Sequence, residues 1–155
     1  MQPYYRPSEE EDVLRLAPKV RQQDVRELQA AAGYEPLLAL HLSYTSSDES
    51  HTIIAPDGEV VGMFGVCPTN DPLLGVPWLL ASDRLPEVSR EFIPQSLDWV
   101  NQVNSKYPVL CNYVDKRNTV AIRWLKWLGF EFVRLIEDYG YEQKPFYEFV
   151  RIDNV

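Results

Sequence analysis

Between residues 8 and 46 the apolar positions recur at helical spacing, and from residue 52 they contract into short runs that read as strands. Ser8-Glu9-Glu10-Glu11 has the form of a capping box, in which the Ser8 hydroxyl accepts from the third helical N–H and Glu11 reaches back. The acidic run Glu9–Asp12 then lies where the helix dipole favours negative charge. The helix it opens carries Val13, Leu14 and Leu16 and stops before Pro18. A second helix is predicted from about Pro18 to Ala32, with Val25 and Leu28 on one face and Gly33 as the left-handed residue that ends it. A third begins near Pro36, places Leu37, Leu40, His41 and Tyr44 at helical spacing, and ends in the polar run Ser46–Ser50.

The period then changes. Thr52–Ala55 and Val60–Val66 flank Pro56-Asp57-Gly58-Glu59, a hairpin turn. Val76–Ala81 is a third strand after the loop Pro68–Gly75. A long helix is predicted over Pro86–Lys106, with Phe92, Ile93, Leu97, Val100 and Val103 inward and a kink or delayed start at Pro94. Val109–Val114 reads as a buried strand, Thr119–Leu128 as a helix closed by Gly129, and Phe130–Ile136 and Phe146–Ile152 as two antiparallel strands joined by a turn at Tyr139-Gly140-Tyr141. The order is strand, two or three helices, three antiparallel strands, helix, strand, helix, two strands. It predicts one α/β domain over residues 1–155, with a mostly antiparallel mixed central sheet flanked by helices.

Composition narrows the function classes. The chain has 155 residues, 45% of them hydrophobic, which is enough for a core without staples. A net charge of -8 argues against sequence-independent nucleic-acid binding and against docking on an anionic membrane. No apolar run approaches the ~20 residues of a membrane helix. The opening residues lack a basic and an apolar export region, so the chain is expected to stay where it is made. Cys67 and Cys111 are read as buried free thiols. His41 and His51 have no partner at metal-ligand spacing, so no metal site is expected. Glu9, Glu10 and Glu59 are general-base candidates in principle, with nothing to place them beside an acceptor. Trp78, Trp99, Trp124 and Trp127 read as core or interface anchors. Tyr139, Tyr141, Phe146 and Tyr147 form either an exposed aromatic patch or the closure of a sheet edge.

The segment Val109–Phe132 carries the most specific signal. Asn118, Ala121, Trp124 and Leu128-Gly129-Phe130 fall at the offsets of a capped helix lying close on a sheet: Asn118 caps, Ala121 permits close approach, and Gly129 turns the chain back into a strand. These residues resemble the closing motif of the GNAT N-acetyltransferase superfamily. Val76-Pro77-Trp78-Leu79-Leu80, Arg90-Glu91-Phe92, Leu110–Asp115, Arg117-Asn118, Ile122–Leu125, Tyr139-Gly140 and Pro145–Tyr147 further resemble GNAT-fold proteins of tailed phages, described as internal virion or virion-assembly proteins.

What the resemblance implies is a GNAT-like single domain. An active member would hold acetyl-CoA through Leu79, Leu80, Arg84, Asn112 and Asn118. The family's phosphate loop is Gly-rich and Arg-bearing, and here Ala81–Arg90 has no glycine, has Pro86, and brings Asp83 and Glu87 toward an anion; Arg84 and Arg90 offset some of that charge but do not replace missing amides. The family's general acid, a tyrosine seven residues after the motif Asn, is Leu125 here, and Pro77 deletes an N–H that can pair with the pantetheine arm. Tyr113 is read as a core or sheet-face residue rather than a replacement acid. The expectation is a catalytically silent component of a tailed-phage virion, with no catalytic residues and no cofactor. It would lie near the neck and portal or in the internal core, contact other virion proteins, and form a homo-oligomer or symmetric assembly built in the host cytoplasm. The alternative is an active acetyl-CoA-dependent N-acetyltransferase on a small amine or a protein. A third reading is a host-directed binding protein.

Overall fold

The computed structural model describes residues 4–153. Residues 1–3, part of the segment read for an export signal, lie outside that range. Strand β1 (Tyr4–Pro7) leads into helix α1 (Glu10–Leu16), a 3₁₀ turn (Ala17–Lys19), α2 (Gln22–Ala32) and α3 (Pro36–Ser46). There follow β2 (Glu49–Ile54), β3 (Val60–Pro68), β4 (Leu74–Ala81), α4 (Leu85–Lys106), β5 (Val109–Asp115), α5 (Thr119–Trp127), β6 (Glu131–Tyr139) and β7 (Lys144–Ile152). The seven strands form one mixed sheet in the order β1-β2-β3-β4-β5-β7-β6. The predicted α/β class, element order and antiparallel final pair are all present.

The sheet divides the core in two. One layer packs Phe64, Val88, Phe92, Trp99, Val103 and Leu110 beneath α4 and α5. The other packs Val13, Leu16, Leu40, Ile54 and Met63 against the early helices. Strand β3 serves both layers, which is why Val60–Val66 is buried without alternation.

Several local expectations need correction. The cap of α1 is Glu9, not Ser8: Glu9 and Asp12 form the reciprocal box, and the Ser8 hydroxyl instead meets Thr52 Oγ1 at 2.9 Å. Asp12 is drawn inward because Arg6 binds it in a bidentate pair at 2.8 and 2.9 Å, while the Glu9 N–H and Thr52 hydroxyl each donate to it at 2.8 Å. Burial alone would raise this carboxyl; the donors hold it below the usual range. Helix α2 starts at Gln22, since Pro18 sits in the 3₁₀ turn, and Gly33 does end it at φ 72°. On α3 the inward residues are Ala39 and Leu40, while Leu37 and His41 face out. Helix α4 starts at Leu85 and runs through Pro94. Of the four aromatics read as a patch or an edge, Phe146 is fully buried, Tyr139 and Tyr147 are half-buried, and Tyr141 alone is exposed, so there is no continuous patch. Cys67 and Cys111 are free thiols, each half-buried rather than buried. No helix among the described residues is long and apolar enough to cross a membrane.

Candidate functional site: the fork between β4 and β5

Strands β4 and β5 run parallel but pair only at Leu74–Val109 and Gly75–Leu110, then diverge. Gly75 permits that approach, because a Cβ there would stand 2.8 Å from the Tyr107 ring. Beyond it opens a cleft of about 280 Å³, lined on its apolar side by Phe64, Leu79, Phe92, Trp124 and Leu125.

The polar edges of the fork follow from strand alternation. Strand β4 pairs with β3 without interruption from Gly62–Ala81 to Pro68–Gly75. Ser82 N–H donates to Val61 on the β3 side, while Ala81 turns its N–H and C=O the other way, to Asp24 and Arg21. Pro77, Leu79 and Ala81 therefore aim their backbone groups into the fork, and Leu80 aims its own at β3. Pro77 has no N–H to offer, and its carbonyl accepts from Asn112 Nδ2 at 2.7 Å. On the opposite arm the Tyr113 N–H donates to Asn112 Oδ1 at 2.8 Å, and the Asp115 N–H donates to Glu27 Oε1 at 2.9 Å. The Asn112 carboxamide thus replaces a missing ladder rung between the two strands.

A second crosspiece comes from α2. Asp24, 2% exposed, accepts from Arg21 Nε at 2.9 Å and the Ala81 N–H at 3.2 Å through one oxygen, and from Asn118 Nδ2 at 3.1 Å through the other. Asn118 also donates to Glu27 at 3.2 Å, while its Oδ1 accepts from the Ala121 N–H and caps α5 as expected. Helix α2 is thereby fastened to both arms of the fork. Among the described residues, the N–H and C=O of Leu79 are the fork-facing pair on β4 left without a partner beyond the β4–β5 pairing.

These carboxyls sit in unusual surroundings. Burial pushes Glu27 up to about 7, opposed by the Asp115 N–H and reinforced by the charge of Asp24. Burial also raises Asp24, against the pull of Arg21. Sequence reading missed both residues, and it read Tyr139 as part of an aromatic patch or sheet edge, whereas it lines the same cleft. The nearest local signal was Arg21 three positions before Asp24 on one helical face.

The predicted site residues separate. Leu79, Leu80 and Asn112 line the cleft, although Leu80 turns its backbone to β3; Asn118 meets it through Asp24 and Glu27, and Arg84 stands apart at the start of α4. The Arg84 guanidinium is held by Asp57 at 2.9 Å, by Glu87 at 3.1 Å and by Glu59, which also pairs with Lys19. Glu59 is thus an ion-pair partner, while Glu9 and Glu10 lie on α1 away from the fork. In the loop before α4, the amides of Ala81, Ser82, Arg84 and Leu85 already donate within the chain, and Pro86 has none. Leu125 lines the cleft where the resemblance implies a tyrosine, and the Tyr113 hydroxyl donates to Glu148 at 2.9 Å on β7. An acetyl-CoA molecule needs loop amides for its pyrophosphate and open strand edges for its pantetheine arm. The residues present do not fit it: four loop amides donate within the chain and Pro86 has none, carboxylates ring Arg84, and Pro77 and Asn112 close part of the strand edge, leaving Leu79 as its open rung on β4. What the cleft offers chemically is an apolar slot ending in a carboxyl that titrates near neutrality.

No protein-family model matches the sequence, and no curated protein matches it. Solved structures do. A GCN5-related N-acetyltransferase from Kribbella flavida superposes with a TM-score of 0.71 at 16% identity, covering 97% of each chain. A GNAT-family acetyltransferase from Bacillus anthracis gives 0.73 at 9% identity, over 98% of this chain and 95% of that one. Spermidine N-acetyltransferase from Vibrio cholerae, solved with CoA and spermine, gives 0.68 at 12% identity over 97% and 95%. At these identities the likeness speaks for architecture, and it shows that this chain has the single-domain GNAT fold, a mixed seven-stranded sheet flanked by helices.

Proposed function

We propose that this chain uses the GNAT fold without transferring acetyl groups and acts through protein–protein contacts, as a structural or assembly component of a tailed-phage particle. The observation that carries the non-catalytic part is the internal lacing of the fork by Asn112, Asp24, Glu27 and Asn118. The absence of a tyrosine at Leu125 and the engaged amides before α4 support it further. The virion part rests on the sequence resemblance alone; the structural neighbours named above are cellular acetyltransferases and add nothing to it. Partners would be other virion proteins in the neck, the portal region or the internal core, with copies related by symmetry.

A second reading, an acetyl-CoA-dependent N-acetyltransferase, is favoured by those neighbours, all of them acetyltransferases by name. Glu27 also favours it, since a carboxyl titrating near 7 suits the removal of a proton from an amine. Calorimetric titration of the purified chain with acetyl-CoA separates the two. The first reading expects no heat of binding up to about 1 mM cofactor, against the KM range of ~1 μM to 1 mM usual for enzymes. Saturable binding at micromolar concentration would favour the second, and acetyl transfer to an amine would establish it. Protein identification on purified particles tests the virion part, and repeated failure to find the chain there would remove it.

A further inference from the structure

Helix α3 carries apolar residues on its outer side as well as its inner one. Ala39 and Leu40 are buried against the sheet, yet Leu37, Leu38 and Leu42 on the outer side are 47%, 45% and 38% exposed. A helix with that pattern is expected where both sides are covered, and among the described residues nothing covers the outer one. Leu14 of α1, 62% exposed, extends the same surface. Between the two helices runs a groove of about 410 Å³, walled by Leu14, Leu37, Leu38 and His41, with Glu10 and Glu35 at its edge. Neither of these glutamates makes an ion pair among the described residues, whereas the next acidic residue, Glu11, is engaged by Arg15. The groove is therefore leucine-walled and rimmed by uncompensated negative charge.

We propose that the α1/α3 groove docks a basic amphipathic helix of another protein. The eleven residues of α3 span about 16 Å, three turns of a partner helix with anchors at i, i+3 or i+4, and i+7. Apolar anchors lie over Leu14, Leu37 and Leu38, and Lys or Arg heads beside them reach Glu10 and Glu35. Charge decides against groove-on-groove pairing with a second copy of this chain. Symmetric pairing of the groove sets the same acidic rim against itself, and Arg15, the arginine at the end of α1, is already held by Glu11. The inference stands on this surface alone and holds whichever way the fork is read.

The test titrates the isotope-labelled chain by NMR with a synthetic Leu–Lys peptide of about 15 residues, patterned as an amphipathic helix. A scrambled peptide of the same composition serves as control. Saturable binding is expected with shifts centred on Leu14, Leu37 and Leu38, and about tenfold weaker binding for the scrambled peptide. Leu38→Asp and, separately, Leu14→Asp should each cost about tenfold; both sites are exposed, and circular dichroism checks that the fold survives. Glu10→Gln with Glu35→Gln should weaken binding about threefold to tenfold and remove most of the loss seen between about 50 and 500 mM salt. Equal binding of the two peptides, shifts centred elsewhere, or no binding below about 1 mM would overturn the proposal. So would a dimer in sedimentation that Leu38→Asp dissolves, because the occupant would then be a second copy.

Discussion

Among the described residues, Glu27 meets two donors, the Asp115 N–H and the Asn118 carboxamide, while burial and the charges of Asp24 and Asp115 press on it. Its carboxyl therefore titrates near 7 in the native chain, against 4.5 as the ordinary value. Between those limits the folded state holds a proton that the unfolded state has released, so stability falls as pH rises from about 4.5 to about 7. The loss from this one group is at most about 3 kcal/mol. In Glu27→Gln the amide oxygen still accepts from both donors and the charge is gone. Thermal melts at pH 5 and pH 8 should show the wild type losing more stability than the variant, by roughly 1–3 kcal/mol; equal losses would place the titration elsewhere. Such a residue was poorly legible in sequence. Val25 and Leu28 mark the apolar face of α2, and an acidic residue beside them reads as solvent-facing. Its partners, Asp115 and Asn118, lie 88 and 91 positions away. Asn118 itself was legible, because its capping role is local: it needs only the helix that follows it.

Helix α2 is held at its far end as well. The turn between β6 and β7 donates the Tyr141 N–H to the Ala31 carbonyl and the Glu142 N–H to Ala30, each at 3.0 Å, and so satisfies carbonyls that the helix end leaves free. Gly140 makes this possible. It lies at φ 75°, and a Cβ there would stand 2.7 Å from the carbonyl oxygens of both Ala30 and Ala31. Gly58, in the hairpin turn, has a similar φ of 89° but open space around it. Gly58→Ala should therefore cost about 1 kcal/mol for backbone strain alone, and Gly140→Ala about 2–4 kcal/mol because the turn must also leave α2. Urea unfolding of the two variants checks the order, and equal costs would mean that the docked turn adds nothing. Gly140 was legible as a turn residue; what it docks against was not, since hydrogen bonds between a turn and a helix over a hundred residues apart leave no periodic trace. Elements defined by local chemistry read well: the Asp57-Gly58 hairpin, the Gly33 end of α2, and Asn118 to Gly129 around α5. The cap of α1 slipped by one residue because Arg6 and Thr52, outside the helix, draw Asp12 inward.

Over the whole molecule, one sheet carries two incompatible demands at the β4–β5 fork. The fold makes the strands part there, and parted strands expose N–H and C=O groups that must find partners. A ligand is one answer; side chains of the same chain are another, and this chain supplies them from β5 and α2 for the β4 arm except at Leu79. Asp24 is the critical piece because it uses both oxygens, one for the Ala81 N–H and Arg21, the other for Asn118. Asp24→Asn keeps the volume but turns one acceptor into a donor, so one of those contacts must be lost. If Ala81 is the partner lost, its amide should exchange with solvent at least about tenfold faster by hydrogen–deuterium exchange, while amides of β2, β3 and β7 keep their protection. The same measurement with acetyl-CoA then distinguishes two obstacles. Lacing as the sole obstacle would let cofactor restore protection at Ala81 in the variant. The loop before α4 is a second obstacle, with the amides of Ala81, Ser82, Arg84 and Leu85 engaged, no glycine, and Arg84 ringed by Asp57, Glu59 and Glu87. That loop is untouched by Asp24→Asn, so added acetyl-CoA is expected to leave the exchange of Ala81 unchanged in wild type and variant alike. Recovered protection in the variant would instead mean that α2 alone closes a competent slot.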